Sequence, residues 1–150
     1  MTDVPGSRDG KTFTVLLVDD AEDCLTTLGL ALEALPGIAI RSAQSAEAGL
    51  AVLERETIAA VITDLQLPEM TGLEMIARIR EQARFCALPI LAISAATDPA
   101  TPQAALDSGA NVFFPKPFSP NAVRRKLEEL VYGGDLCGPK GMKIERGESG

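Results

Sequence analysis

Short apolar runs recur at Phe13–Val18, Ile38–Ser42, Ala59–Thr63, Ile90–Ser94 and Asn111–Phe114, and a longer stretch of helical periodicity follows each of them. Parallel strands need crossover connections, so this alternation predicts repeated strand–helix units built on one parallel sheet. The first, third and fourth runs are apolar almost throughout, as strands covered on both faces are. The second alternates Ile38 and Ile40 with Ala39 and Arg41, which suits a half-covered edge strand. Pro115 and Pro117 place the fifth strand at the other edge, because proline cannot donate to a ladder on both sides.

The intervening helices carry readable punctuation. Leu25, Leu28, Leu32 and Leu35 form one stripe of a first helix over residues 22–35, stopped by Pro36–Gly37. Ser45 is a candidate cap for a second helix over 46–54 that turns Leu50 and Leu53 inward. Thr71–Gly72–Leu73–Glu74 has capping-box spacing and opens a third helix, with Leu73, Ile76 and Ile79 at helical intervals. Pro99 and Pro102 leave either Asp98 or Thr101 as the cap of a fourth helix, which Gly109 ends. Ser119–Pro120 opens the fifth, whose Val123, Leu127, Leu130 and Val131 face inward.

At 150 residues with 46% hydrophobic content, the chain has room for one substantial core. We read residues 1–12 as a flexible extension, 13–132 as the folded domain and 133–150 as a flexible tail. A formal charge of -7 argues against general affinity for nucleic acid. The polar first twelve residues do not read as a signal peptide, and no apolar run reaches the roughly 18 residues of a membrane span. The three cysteines, Cys24, Cys86 and Cys137, show no metal or redox spacing, which suits a cytoplasmic chain with reduced thiols; Cys24 and Cys86 read as buried helix-packing residues.

Chemistry collects where the strands end. Asp19–Asp20 follows the first, Asp64 the third, Ser94 closes the fourth and Lys116 lies just beyond the fifth. In open parallel sheets the ligand crevice lies outside the carboxyl ends of the strands, so these side chains converge on one edge. Three unpaired carboxylates repel one another, and a hard divalent cation with oxygen ligands relieves that repulsion. Acids, a hydroxyl and an ammonium together suit a phosphoryl group bound with a metal ion.

On Val15–Asp20, Asp64–Glu74, Ile93–Ser94–Ala95, Gly109–Ala110 and Lys116–Pro117–Phe118, the chain resembles a receiver domain of the two-component response-regulator family over residues 13–132. The resemblance implies a flavodoxin-like, doubly wound (βα)5 fold with a five-stranded parallel sheet. It implies that Asp64 accepts a phosphoryl group, with Mg2+ held by Asp19, Asp20, Asp64 and the backbone carbonyl of Gln66. It further implies that Lys116 and Ser94 bind phosphoryl oxygens, that Ala95 and Gln66 sit where phosphoryl lifetime is set, and that a cis Lys116–Pro117 bond aims the lysine inward. Ser94 and Phe113 would form the switch, and the fourth helix, fifth strand and fifth helix the output surface. The implied partners are a histidine kinase or histidine phosphotransfer protein and a downstream protein target, without direct nucleic-acid contact or membrane insertion. The chain has no histidine, so the donor histidine must come from a partner.

Thr71 departs from the aspartate usual in the family, yet threonine caps a helix equally well. Arg124–Arg125–Lys126 reads as a solvated basic face. The competing enzyme reading is a phosphatase or phosphotransferase working through an aspartyl-phosphate. The haloacid dehalogenase family usually places a second acid two residues after the nucleophile, where this chain has Gln66, so we expect no turnover beyond the chain's own phosphorylation and dephosphorylation. Both a stand-alone regulator and a receiver cut from a longer effector protein fit these features.

Overall fold

The computed structural model describes residues 13 to 132. Strands β1 (Phe13–Val18), β2 (Ile38–Ala43), β3 (Ala60–Asp64), β4 (Ile90–Ser94) and β5 (Val112–Pro115) alternate with helices α1 (Glu22–Leu32), α2 (Ala46–Arg55), α3 (Gly72–Arg80), α4 (Thr101–Ser108) and α5 (Pro120–Tyr132). All strand pairs are parallel, in the order β2-β1-β3-β4-β5. The order reverses between β1 and β3, and this is where a doubly wound sheet opens its crevice. β2 and β5 are the edges, as their alternation and prolines predict.

Because successive residues of a strand face opposite ways, β1 contributes to two cores. Leu16 and Val18 pack with Val61, Ala92 and Phe113 beneath α2, α3 and α4, where Met75, Ile76 and Ile79 of α3 are fully buried. Val15 and Leu17 pack with Ile62, Leu91 and Ile93 beneath α1 and α5, which bring Leu28, Leu32, Val123 and Leu127. The inward leucines of α1 and α5 and the caps of α2 and α3 stand where the sequence puts them. Ser45 Oγ accepts from the Ala48 N–H, and Thr71 and Glu74 form both halves of the capping box.

Several details differ. Helix α1 ends at Leu32, because Leu35 precedes Pro36 and is disfavoured in helical geometry; Leu35 is still buried, through a turn in which its N–H reaches the Leu32 carbonyl. Neither Asp98 nor Thr101 caps α4: the cap position is Ala100, and the Asp98 carboxylate accepts the Ala100 N–H one turn earlier. Met75, rather than Leu73, supplies the deepest contact of α3. Cys86 is exposed after the short 3-10 turn Ala83–Phe85 and is not the packing residue expected, whereas Cys24 is half-buried and packs against the core beneath α1 and α5. The flexible extension, the tail and Cys137 lie outside the described residues.

Two glycines test how tightly α3 and α1 are set. A Cβ at Gly72 would overlap the Asp64 carbonyl oxygen and stand 2.6 Å from Leu65 Cα, so α3 can approach the end of β3 only with glycine there. At Gly29, inside α1, a Cβ meets nothing within 4 Å. In urea unfolding, Gly72→Ala should lose about 1–3 kcal/mol through overpacking, whereas Gly29→Ala should gain about 0.5–1 kcal/mol from helix propensity. Equal behaviour of the two variants would contradict this packing.

Candidate functional site

The carboxyl end of β1 runs into Asp19, whose N–H extends the ladder to the Ala43 carbonyl at 3.1 Å, and whose Oδ1 accepts the Ala21 N–H at 2.9 Å as α1 begins. Backbone pairing thus fixes the side chain before any ligand arrives. Asp64 closes β3, and its Oδ1 accepts the Gln66 N–H at 2.8 Å. Asp20 is exposed beside them. One ligand oxygen from each of Asp19, Asp20 and Asp64 lies within 4.8 Å of the others.

Lys116 reaches this group from beyond β5. Its backbone N–H bonds the Ser94 carbonyl at 2.8 Å, and the bond to Pro117 is cis. Its Nζ stands 2.8 Å from Asp64 Oδ2 and 3.0 Å from Asp19 Oδ2, so one ammonium bridges the ends of β1 and β3 across the reversal in strand order. Three carboxylates against one ammonium leave two formal negative charges, and the donors are all hard oxygens. Asp19, Asp20 and Asp64 therefore fit a small divalent cation, with the Gln66 carbonyl as a further donor.

The electrostatics divide the two buried acids. Burial pushes the Asp64 carboxyl above its ordinary value and the Asp19 charge adds to this, outweighing the opposing Lys116 and Gln66 hydrogen bonds. Burial acts on Asp19 too, but hydrogen bonds from the Cys24 thiol, the Ala21 N–H and Lys116 together hold it below its ordinary value. Lys116 is raised despite its burial, because both carboxylates favour its charged form. The Cys24 thiol is pushed up to about 12 by burial and by Asp19. It is thus an inert donor at neutral pH, a partner that cysteine spacing alone gave no means to find.

Ser94 is fully buried, and its Oγ accepts the Ala96 N–H at 3.0 Å, while Ala95 is exposed at the mouth of the site. Phe113 is turned inward, paired with Ala92 in the sheet and packed in the α3–α4 core. It also forms one wall of a cleft of about 220 Å3 shared with Ala96, Thr97, Pro99 and Pro102. Gln66 is exposed and meets Asp64 through its backbone N–H. Every site residue proposed from sequence except Phe113 lies along the carboxyl edge; Phe113 lies one layer beneath it. Arg80, at the end of α3, carries the densest polar network away from that edge and was not signalled by any motif.

An open, doubly wound sheet with a metal-capable acid cluster and a bridging lysine at its reversal point defines the structural class. The chain belongs to the response regulator receiver domain family, whose sequence model matches residues 15–128. It is 32% identical over 130 residues to the chemotaxis protein CheY1 of Helicobacter pylori, covering 81% of this chain and 98% of that one. It is 29% identical over 125 residues to the alkaline phosphatase synthesis transcriptional regulatory protein PhoP of Bacillus subtilis, covering 83% of this chain but 51% of PhoP. The structure of the chemotaxis response regulator CheY4 of Vibrio cholerae superposes with a TM-score of 0.73 at 27% identity, covering 80% of this chain and 99% of that one. No described helix is long and apolar enough to cross a membrane.

The raised Asp64 value means that the folded state holds its proton more tightly than the unfolded chain. Ionised Asp64 therefore costs stability above its folded value, and this cost fades as pH falls through that value towards the ordinary 3.8. In metal-free buffer at pH 7, Asp64→Asn should raise the urea midpoint, with the advantage shrinking through the same window. An Asn variant that is no more stable at pH 7 than the wild type would contradict the assigned direction.

Proposed function

We propose that this chain is a phosphoacceptor switch of a two-component or phosphorelay system, phosphorylated on Asp64. The observation that supports it most is the Lys116 bridge to Asp64 and Asp19 with Asp20 alongside, a group whose formal charge and donor atoms suit a phosphoryl group bound with a divalent ion.

The donor is a phosphohistidine on a partner kinase or phosphotransfer protein. A carboxylate oxygen of Asp64 attacks phosphorus; the new O–P bond forms as the P–N bond breaks, and its electron pair leaves with the imidazole nitrogen. A magnesium ion held by Asp19, Asp20, Asp64 and the Gln66 carbonyl would neutralise the phosphoryl oxygens during this transfer. Lys116 keeps its charge throughout, since its partners raise its affinity for the proton, and it neutralises a further oxygen. The exposed, small Ala95 leaves the in-line approach open, and the buried Ser94 hydroxyl can turn from accepting the Ala96 N–H to donating to a phosphoryl oxygen.

That turn is the input to the switch. Phe113 packs inward by shape alone, having no hydroxyl to bond at the surface, so the phosphoryl group biases its position through Ser94 and the β4–α4 connection. The surface formed by α4, β5 and α5 then presents the result to a downstream protein target. Gln66 supplies no acid beside the phosphoryl group, which favours a stored phosphate over repeated turnover. We place the protein in the cytoplasm, where the three scattered cysteines would stay reduced. The match spans 51% of PhoP, and both a receiver within a longer regulator and a stand-alone protein are compatible with this reading.

Intact-protein mass after incubation with acetyl phosphate and magnesium should show one phosphoryl increment, absent with EDTA and absent in Asp64→Asn. A wild type that gains nothing, or an Asn variant that gains the same increment, would sink the proposal. Rapid multiple turnover of phosphomonoesters would instead support the enzyme reading.

A further inference from the structure

The two edges of the sheet are finished differently. β5 is four residues long and ends in Pro115, with Pro117 soon after, so its outer side offers few donors to another strand. β2 runs for six residues, Ile38 to Ala43, in unbroken register with β1 and without proline. The Phe13 and Asp19 N–H groups bond the Gly37 and Ala43 carbonyls, so by the alternation of a strand residues 37, 39, 41 and 43 face β1. The N–H and C=O groups of Ile38, Ile40 and Ser42 therefore face outward.

Arg41 covers one of these groups. It donates from Nη1 to the Ile40 carbonyl at 3.2 Å and from Nε to Glu56 Oε1 at 2.8 Å. The Arg41–Glu56 pair is solvated, with 48% and 33% of the two side chains exposed, so it holds the clasp closed only weakly. Apolar surface stays open along the same margin. Leu25, Ile38 and Ile40 are only partly buried, and a cleft of about 740 Å3 separates the start of α1 from the end of β2 and the start of α2. Thr26 lines that cleft, and Leu30, one helical turn further along the same row, is 66% exposed. It is the one exposed large apolar side chain among the described residues.

We infer that the outer edge of β2 is an interface for a second copy of this chain, which adds its own β2 antiparallel about a two-fold axis. Centred on Ile40, the pairing sets Ile40 opposite the partner's Ile40 and Ile38 opposite the partner's Ser42, so every outward N–H and C=O of the strand is used. Arg41 then stands across from the partner's Ala39, and no like charges are directly opposed. An axis normal to the sheet keeps the two α1 helices on one face, side by side, where Leu30 is covered. Because the strands run antiparallel, the two acid clusters point to opposite ends and both stay open. Arg41 is the latch, since its bond to the Ile40 carbonyl is displaced as the strands close. Nothing in this pairing depends on phosphorylation of Asp64.

Sedimentation equilibrium of the wild type from micromolar to millimolar concentration should show a monomer–dimer equilibrium, and a chain that stays monomeric throughout would overturn the interface. Amide exchange by NMR locates it. As concentration rises, the Ile38, Ile40 and Ser42 N–H groups should slow while those of Ala39 and Arg41, which face β1, stay unchanged. A dimer without that change uses another face, and edge amides already slow in the dilute monomer mean that residues 1–12 or 133–150 cover the strand; either result contradicts the pairing. Arg41→Ala should tighten the dimer about tenfold, because one competing hydrogen bond per copy is gone. Ser42→Pro removes an outward donor and no bond to β1, so it should give a folded monomer. Should that variant fail to fold, Leu30→Glu, at an exposed position, should still weaken the dimer about tenfold by setting carboxylates where α1 meets its partner. A dissociation constant unmoved by either Arg41→Ala or Leu30→Glu would refute the interface as drawn.

Discussion

The bridge from Lys116 to Asp64 and Asp19 is the contact on which the rest of this molecule turns. Burying two carboxylates a few ångströms apart is strongly unfavourable without a cation, and the chain brings that cation from residues distant in sequence. To deliver it, β5 must pair with β4 and the Lys116 N–H must reach the Ser94 carbonyl. The ends of β1, β3, β4 and β5 are thereby tied to one another at the edge that carries the acid cluster.

One ammonium does not neutralise three acids, and this incompleteness is functionally informative. A fully compensated cluster would be structural ballast, whereas a cluster left with two formal negative charges and an exposed Asp20 offers a place to a divalent ion. The neighbouring backbone is set to match. The N–H groups of Ala21 and Gln66 orient Asp19 and Asp64 directly, and the glycine at the start of α3 lets that helix sit against the carbonyl of Asp64. Preorganisation of this kind means that little rearrangement is needed when charge arrives.

Away from the edge, the molecule is divided into parts that are tightly packed and parts that are not. Beneath α3 the large side chains Met75, Ile76 and Ile79 fill the space against the sheet, while α4 covers its share with alanine and depends on the polar contacts of Arg80 at one end. A cleft by Phe113 lies beside the less anchored end. Weak burial next to a charged edge is where a small change in hydrogen bonding can be answered by movement of backbone.

Much of this was readable in the amino-acid order. The apolar runs and their spacing determined the five strands, their parallel pairing and the edge position of the second and fifth, because periodicity and crossover length leave few alternatives. The acids after the first and third strands and the lysine beyond the fifth determined which residues would meet, because strand ends in such a sheet share one edge. Local chemistry determined the caps at Ser45, Thr71 and Ser119. The tertiary structure alone decided that Asp19 and Asp64 would shift in opposite directions, since burial and hydrogen-bond count depend on neighbours such as Cys24 that belong to another turn of chain. It decided that α1 would stop at Leu32 and α4 begin after Ala100, because competing signals from nearby prolines are settled by packing. It also decided the role of Arg80, whose three partners lie 5, 29 and 31 residues away and come together only when the sheet has closed.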